Sequence, residues 1–432
     1  MNASDPSAPL RRTLWWATAV GRPQTHPLTD GLSVDVAVVG GGFLGMTAAW
    51  RLAAAGMSVA VLEAGPLGGG ASGLNAGFVV PNFAKADPAA VVARLGEEAG
   101  GRLLRAVGAG ADRVFDTIRA NDIACEAEQA GWIHVAHRPE MADVLRARAA
   151  AWAALGRPVR FMEADEARTR TAARLCHGAL FDASAGMLNP LGYLWGLARL
   201  AIGAGARVIE GASVADAVPT AGGWRLRVGD RSVAAKRVLL CTNAFTGGLA
   251  GRLGRGLIPL QVYQLATEPL AEDVARRVAP MRNPLADTRA NLFTCRLDAG
   301  NRLISGGMAV IPFAADGRMA REIAGRLATE LGLDGVPRVD FVWRGVAAVS
   351  PDWLAHLYEI GEGFYAAMAC NGRGIAVTAV VAHALADLVL GRPAADLPLP
   401  VGRIGRLPLR LFAAAAPSVA IFQAKMQDRM QR

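Results

Sequence analysis

Lysine is almost missing from this chain. Lys85, Lys236 and Lys425 are the only lysines in 432 residues, although Lys and Arg together number 46 against 37 Asp and Glu, a formal net charge of +9. Arginine therefore carries nearly all the positive charge. The arginines are scattered, with no run interleaved with aromatics, so the charge reads as a surface property and argues against a nucleic-acid footprint. Cysteine is scarce as well. Cys125, Cys176, Cys241, Cys295 and Cys370 are odd in number and far apart. They form neither a CxxC pair nor a zinc-type spacing with histidine, and no disulfide framework, so no metal is expected and the thiols are expected to be reduced, in a cytoplasmic protein. The opening MNASDPSAPLRR lacks the basic-then-apolar order of a signal peptide. The most apolar later stretch, residues 375–390, is interrupted by His383 and Asp387 and is too short to span a bilayer. There are no internal repeats.

What is present is a well-packed composition, 52% hydrophobic and 19% charged, in a chain long enough for two packed domains. Residues 1–33 form a polar lead-in with LWWATA (14–19) as an apolar anchor. Residues 34–39 read as a buried parallel strand, 44–55 as a helix and 58–63 as a second strand, which together make a βαβ unit. Helices are expected at 88–95, 101–121, 140–155 and 190–204, with strands at 131–136 and 207–210. A β-meander (213–219, 224–228, 232–235) runs into a buried strand at 237–242. Residues 257–345 read as several strands with one helix, 318–331. A strand at 364–368 turns through CNGRG (370–374) into a helix at 375–390. The nucleotide-binding part is thus expected to be discontinuous. The expected division is 1–87 with the lead-in, 166–256 and 343–402 for that part, 88–165 and 257–342 for a second domain inserted into it, and a basic helical tail, 403–432.

The strongest motif is Gly40-Gly41-Gly42-Phe43-Leu44-Gly45, a G-x-G-x-x-G between a strand and a helix. Gly40 permits the tight turn, Gly42 lets a pyrophosphate approach the backbone, and Gly45 lets helix pack on strand. The helix N-terminus adds free N–H groups and a positive dipole end. Glu63 stands 18 residues past Gly45, at the end of the second strand, where a carboxylate can hold ribose hydroxyls and would repel the extra phosphate of NADP. A second glycine-rich run, Gly68 to Gly77 (GGGASGLNAG), follows directly. Small residues with backbone donors there can wrap a pyrophosphate and ribityl chain from the other side, which favours FAD over NAD; a flexible surface loop is the alternative.

These runs resemble the D-amino acid oxidase/sarcosine oxidase superfamily of FAD enzymes, and within it the gamma-glutamylputrescine oxidase-like branch. IPLQVYQLATEPL (258–270), NRLISGG (301–307), WRGVAAVSPD (343–352) and CNGRGIAVT (370–378) extend the likeness over nearly the whole chain. The resemblance implies an α/β (α+β) fold, a Rossmann-type FAD-binding domain with an inserted antiparallel-sheet substrate domain. It implies backbone contacts to FAD from Phe43 and Leu44, the ribose at Glu63 beside Ala64, and Gly70, Ala71, Ser72, Asn75, Ala76 and Gly77 along the pyrophosphate and flavin. Val214 would meet the adenine, and Thr242 and Asn243 would close that end. Gly372, Arg373, Gly374 and Ile375 would approach the pyrimidine end of the flavin, unless Arg373 is a turn arginine facing solvent.

The implied reaction is oxidation of a C–N bond in a small amine or amino acid, with oxygen reoxidising the flavin to give hydrogen peroxide. Positions that carry a lysine, a substrate-facing histidine and a late-loop lysine in sarcosine oxidases fall here at about Ile304, Met308 and Ala376. Residues 345–351 hold no cysteine where those enzymes attach FAD, so noncovalent FAD is expected. Lys85 is the one lysine placed to reach the flavin. A dehydrogenase passing electrons to a quinone or carrier protein therefore stays open, as does a tRNA-modifying or complex-forming subunit. Candidate substrate contacts are Lys85, Tyr263, Gln264, Phe293, Met308, Trp343 and Arg373. The tail has Leu411, Val419, Phe422 and Met426 at helical spacing, suited to packing on the substrate domain, to association or to a membrane surface.

Overall fold

The computed structural model describes residues 8–246, 249, 257–368, 371–402 and 416–430. Its frame is two β-sheets. The first has nine strands in the order Val401–Gly402, His356–Gly361, Phe364–Met368, Arg231–Leu240, Leu32–Val39, Val59–Leu62, Arg207–Ile209, and the pair Val214–Thr220 and Gly223–Val228 branches from Arg231–Leu240. Leu32–Val39 lies between Arg231–Leu240 and Val59–Leu62, parallel to both. That position buries residues 36–39 on both faces, which is why they are continuously apolar. Helices Phe43–Ala54, Pro190–Gly203 and Gly374–Val389 cover one face. The strand pair 214–228 covers part of the other.

The second sheet has eight strands, ordered Val339–Val349, Ile258–Pro269, Arg302–Gly307, Thr294–Leu297, Leu285–Asp287, Trp132–Val135, Ala179–Asp182 and Val159–Met162. One face packs on the helix Asp316–Leu331 through Leu265, Leu303, Ile323 and Leu327. Its opposite face looks toward the carboxyl ends of the parallel strands of the first sheet.

Several elements differ from the sequence reading. Residues 232–235 and 237–242 are not two strands but parts of one, Arg231–Leu240. Lys236, which seemed to divide them, turns out of the sheet and pairs with Asp35 on the neighbouring strand at 2.8 Å. The glycine-rich segment contains a one-turn helix, Ala71–Leu74. Strands Val159–Met162 and Ala179–Asp182 had no expectation, and Ala179–Asp182 places chain from 166–256 in the second sheet. Among the described residues no helix is long and apolar enough to cross a membrane. Cys370 and Leu411 lie outside the described residues.

Candidate active site

A cleft of about 1040 Å3 runs between the two sheets, at the upper end of the ~300–1,000 Å3 usual for small-molecule sites. It begins where Leu32–Val39 ends. Gly40 sits at φ +103°, and a Cβ there would stand 2.9 Å from the Cys241 carbonyl oxygen. A Cβ on Gly42 would come within 2.8 Å of Ser72 Oγ, and one on Gly45 within 2.0 Å of the Gly40 carbonyl oxygen. The three glycines therefore serve a turn, a cradle and a helix–strand contact in that order. Gly40, Gly42, Phe43 and Leu44 line the cleft; Gly45 lies beneath it, in the packing. The Phe43 N–H donates to Ser72 Oγ at 3.0 Å, so the second glycine-rich segment caps the first turn of the helix.

Glu63 accepts the Gly41 N–H at 2.7 Å and the Gly65 N–H at 3.0 Å. Burial holds its carboxyl above the ordinary range, Glu210 adds to the rise, and the N–H donors oppose it. Glu210, which the sequence reading did not single out, fixes the turn by accepting the Leu67 N–H at 2.5 Å. Glu63, Ala64, Val214, Thr242 and Asn243 line this part of the wall.

Gly70, Ala71, Ser72, Asn75 and Ala76 follow along the wall. Asn75 shapes its own loop: its Nδ2 donates to the Ala71 and Ser72 carbonyls, and its Oδ1 accepts the Gly77 N–H. Two indoles hold the loop from behind. Trp15 Nε1 donates to the Asn75 carbonyl at 2.8 Å, and Trp343 Nε1 to the Leu74 carbonyl at 3.1 Å. Their rings meet edge to face at 5.6 Å. The Arg296 guanidinium lies 4.8 Å from the Trp15 ring and donates to the Leu188 carbonyl. Gly77, at φ +75°, sits behind the wall, because a Cβ would stand 2.2 Å from that carbonyl oxygen. Trp15 and Arg296 had no sequence signal beyond the apolar LWWATA anchor.

The other end is cationic. Gly372, Arg373, Gly374 and Ile375 line it, with Arg373 at the N-cap of Gly374–Val389. The Arg373 guanidinium stands 5.2 Å from the Trp132 ring, its Nε is buried without an acceptor, and no carboxylate among the described residues pairs with it. Burial pulls its pKa down to about 10, with the nearby Arg148 adding to the fall. Trp132 Nε1 is likewise buried and unpartnered. Next to it, His134 Nε2 meets the Asp287 carbonyl oxygen at 3.0 Å. A carbonyl only accepts, so Nε2 carries the proton and Nδ1 is left as an acceptor. Burial and the surrounding cations push His134 down to about 3, so its ring is neutral at ordinary pH. Lys85, exposed, and Met308 also line the cleft.

Tyr263, Phe293 and Trp343 do not line it. Side chains alternate across a strand. Leu260, Val262 and Gln264 face the cleft, whereas Tyr263 turns to the far side and donates to the Pro312 carbonyl. Phe293 is buried in the same far-side core. Trp343 is committed to the Leu74 carbonyl. Gln264 is nine-tenths buried in the wall, and its Oε1 has no partner. Among the described residues no group of three metal-ligating side chains occurs.

The bare Gly42–Ser72 cradle, the capped helix end and the uncompensated Arg373 form a donor set that fits a long, doubly anionic dinucleotide followed by an anion-seeking pocket. The comparisons point the same way. The chain is 29% identical to gamma-glutamylputrescine oxidoreductase of Escherichia coli over 399 residues, 90% of this chain and 93% of that protein. Glycine oxidase of Geobacillus kaustophilus superposes with a TM-score of 0.72 at 22% identity, covering 88% of this chain and all of the other. L-proline dehydrogenase of P. horikoshii gives the same TM-score at 17% identity over 86% and 96%. The family model described as DAO, FAD dependent oxidoreductase, matches residues 35–388, and the chain belongs to that family of FAD-dependent enzymes.

Proposed function

We propose that the protein oxidises the C–N bond of a small amine or amino acid that carries a carboxylate, with noncovalent FAD and with oxygen as electron acceptor. The observation that carries this reading is Arg373, a partly buried guanidinium with no carboxylate partner among the described residues, facing the cleft beside an unpartnered indole N–H. An uncompensated buried cation is costly and favours a site that an anion completes. The carboxylates described near this end are already engaged: Asp287 with Arg289, which Glu330 also pairs, Asp87 with Arg148, and Asp428 with the Ala290 and Asn291 N–H groups. Among the described residues, a substrate with an ammonium group alone would meet only carboxylates that are already engaged. His134 Nδ1 and Gln264 Oε1 supply neutral acceptors for the amine.

When bound, FAD would accept hydride from the carbon beside the nitrogen, leaving an imine that water hydrolyses and passing the electrons to oxygen as hydrogen peroxide. Gly42 and Ser72 would hold the pyrophosphate close to the helix end, and Glu63 the adenosine ribose. Noncovalent attachment is supported by Cys241, the one described cysteine at the cleft. It is buried beside the Gly40 turn and its pKa is pushed up by burial, the opposite of an attacking thiolate. A cytoplasmic setting agrees with these buried thiols.

A dehydrogenase reading rests on Lys85, the only lysine at the cleft, which is exposed rather than held against the flavin loop. Many of the scattered arginines are engaged in ion pairs, such as Arg146–Glu163 and Arg282–Glu128, which disfavours an RNA-binding subunit. The test is anaerobic bleaching of the flavin band by primary, secondary and N-methylated amines and by D- and L-amino acids, followed by peroxide assay in air. Bleaching confined to carboxylate-bearing amines is expected. If no amine bleaches the flavin the proposal fails, and bleaching without peroxide selects the dehydrogenase.

A further inference from the structure

The wall of the cleft at residues 288–292 is the tip of a hairpin joining Leu285–Asp287 to Thr294–Leu297. Hairpin tips depend on what satisfies their backbone. Here Asp287 Oδ1 accepts the Phe293 N–H from inside at 2.9 Å, and Arg326 donates to the Asn291 and Leu292 carbonyls from the helix Asp316–Leu331. Asp287 Oδ1 also accepts the Arg289 N–H at 3.2 Å, while two further donors at the apex, the Ala290 and Asn291 N–H groups, go to a distant part of the chain. Asp428 Oδ1 accepts the first at 3.2 Å and Oδ2 the second at 3.0 Å.

Asp428 belongs to the C-terminal helix Ala416–Met430. That helix is fastened by Lys425 Nζ to Glu322 at 2.5 Å and by the buried Ile421. Its Phe422 and Met426, at the helical spacing suited to packing, to association or to a membrane surface, are exposed. Among the described residues, Ile421, the Lys425–Glu322 pair and Asp428 hold the helix in place, and Asp428 binds the substrate-side loop.

We infer that Asp428 is a positioning residue: the C-terminal helix acts as a clamp that sets the 288–292 wall, and through it the fit of a carboxylate-bearing ligand. The inference rests on the reading of this end of the cleft as the substrate pocket. Both apex amides bind one carboxylate, so its removal frees them together, and the loop bearing Thr288, Arg289, Ala290 and Leu292 loses its fixed height over the pocket.

The test uses the full-length, FAD-loaded protein and the variants Asp428→Ala, Asp428→Asn and Asp428→Glu. Amide exchange is followed in the segment 285–297, and benzoate, an inert carboxylate probe, is titrated against the flavin absorption. In Asp428→Ala, exchange at residues 290 and 291 should quicken and benzoate should bind about tenfold more weakly, the scale of two charge-assisted hydrogen bonds lost at a partly exposed site. Flavin content should not change. Asp428→Asn, which keeps one acceptor, should fall between. With any amine that the parent oxidises, KM should rise more than kcat falls. Unchanged exchange at 290–291 in Asp428→Ala overturns the inference, and so does a lower melting temperature with benzoate binding intact. The exchange result stands apart from catalysis, so a failure of amine oxidation would not be mistaken for a failure of the clamp.

Discussion

Replacing Arg373 by methionine should stabilise the empty protein while impairing it as an enzyme. A free guanidinium titrates more than about two units higher than this one, and each tenfold change in proton affinity is worth about 1.4 kcal/mol. A value pulled down to about 10 therefore marks an electrostatic penalty on the order of 3 kcal/mol in the folded state. It applies in full at every pH below about 10, because the folded protein must hold the charge that the unfolded chain carries freely. Methionine removes that penalty and keeps most of the volume, but it forfeits the contact over Trp132, worth roughly 0.5–2 kcal/mol. A net gain of about 1–2 kcal/mol is expected for the apoprotein in urea titration at pH 7. The same variant should lose most of its affinity for carboxylate ligands and at least tenfold in kcat/KM. The reasoning is refuted if the variant is destabilised by 2 kcal/mol or more, as an ordinary core truncation would be, since Arg373 would then have a partner that stabilises it.

Gly45→Ala should abolish FAD binding without unfolding the chain, because a Cβ 2.0 Å from the Gly40 carbonyl oxygen forces the helix off its strand; retained flavin after gel filtration would contradict this. Trp343→Phe keeps the ring packed on Trp15 but leaves the Leu74 carbonyl without its indole donor. A cost of about 1–3 kcal/mol should appear as weaker FAD affinity, read by flavin fluorescence on dilution. His383 Nδ1 sits 3.0 Å from an Arg113 nitrogen and its pKa is held at about 3, chiefly by burial. The unfolded value is ~6.5, so the unfolded chain takes up the proton first. Stability should be complete above pH ~6.5 and decline as the pH falls toward 3. His383→Asn should flatten that decline in urea midpoints compared at pH 7 and 4.5.

The geometry of the first glycine-rich turn was legible because its physics is local. The turn at Gly40, the bare Gly42 and the packed Gly45 lie within six residues, and Glu63 comes one strand later. What the sequence withheld depends on distance or on parity. Trp15 and Trp343 reach neighbouring carbonyls of one loop from opposite ends of the chain. Nothing in the sequence could choose Gln264 over Tyr263, because both are buried, one in the cleft wall and one in the far-side core, and the strand does not alternate between apolar and polar residues. The turn Ala71–Leu74 is helical without any apolar periodicity, held by the Asn75 side chain. The tail read correctly as a helix where it is described, but the side that packs carries Ile421, not Phe422 and Met426.

The two indoles behind the loop 71–77 also bear on the order in which the molecule can be made. Leu74 waits for Trp343, and the cleft further draws on Gly345 and residues 371–375. During synthesis the nucleotide motif at Gly40–Gly45 therefore emerges long before the chain that completes its cradle. At ~5–20 residues per second, the gap of roughly 300 residues corresponds to some tens of seconds in which a glycine-rich, anion-seeking turn exists without its walls. Cofactor capture is then a closing event of biogenesis, and an amino-terminal fragment, however well its βαβ unit forms, should not retain flavin.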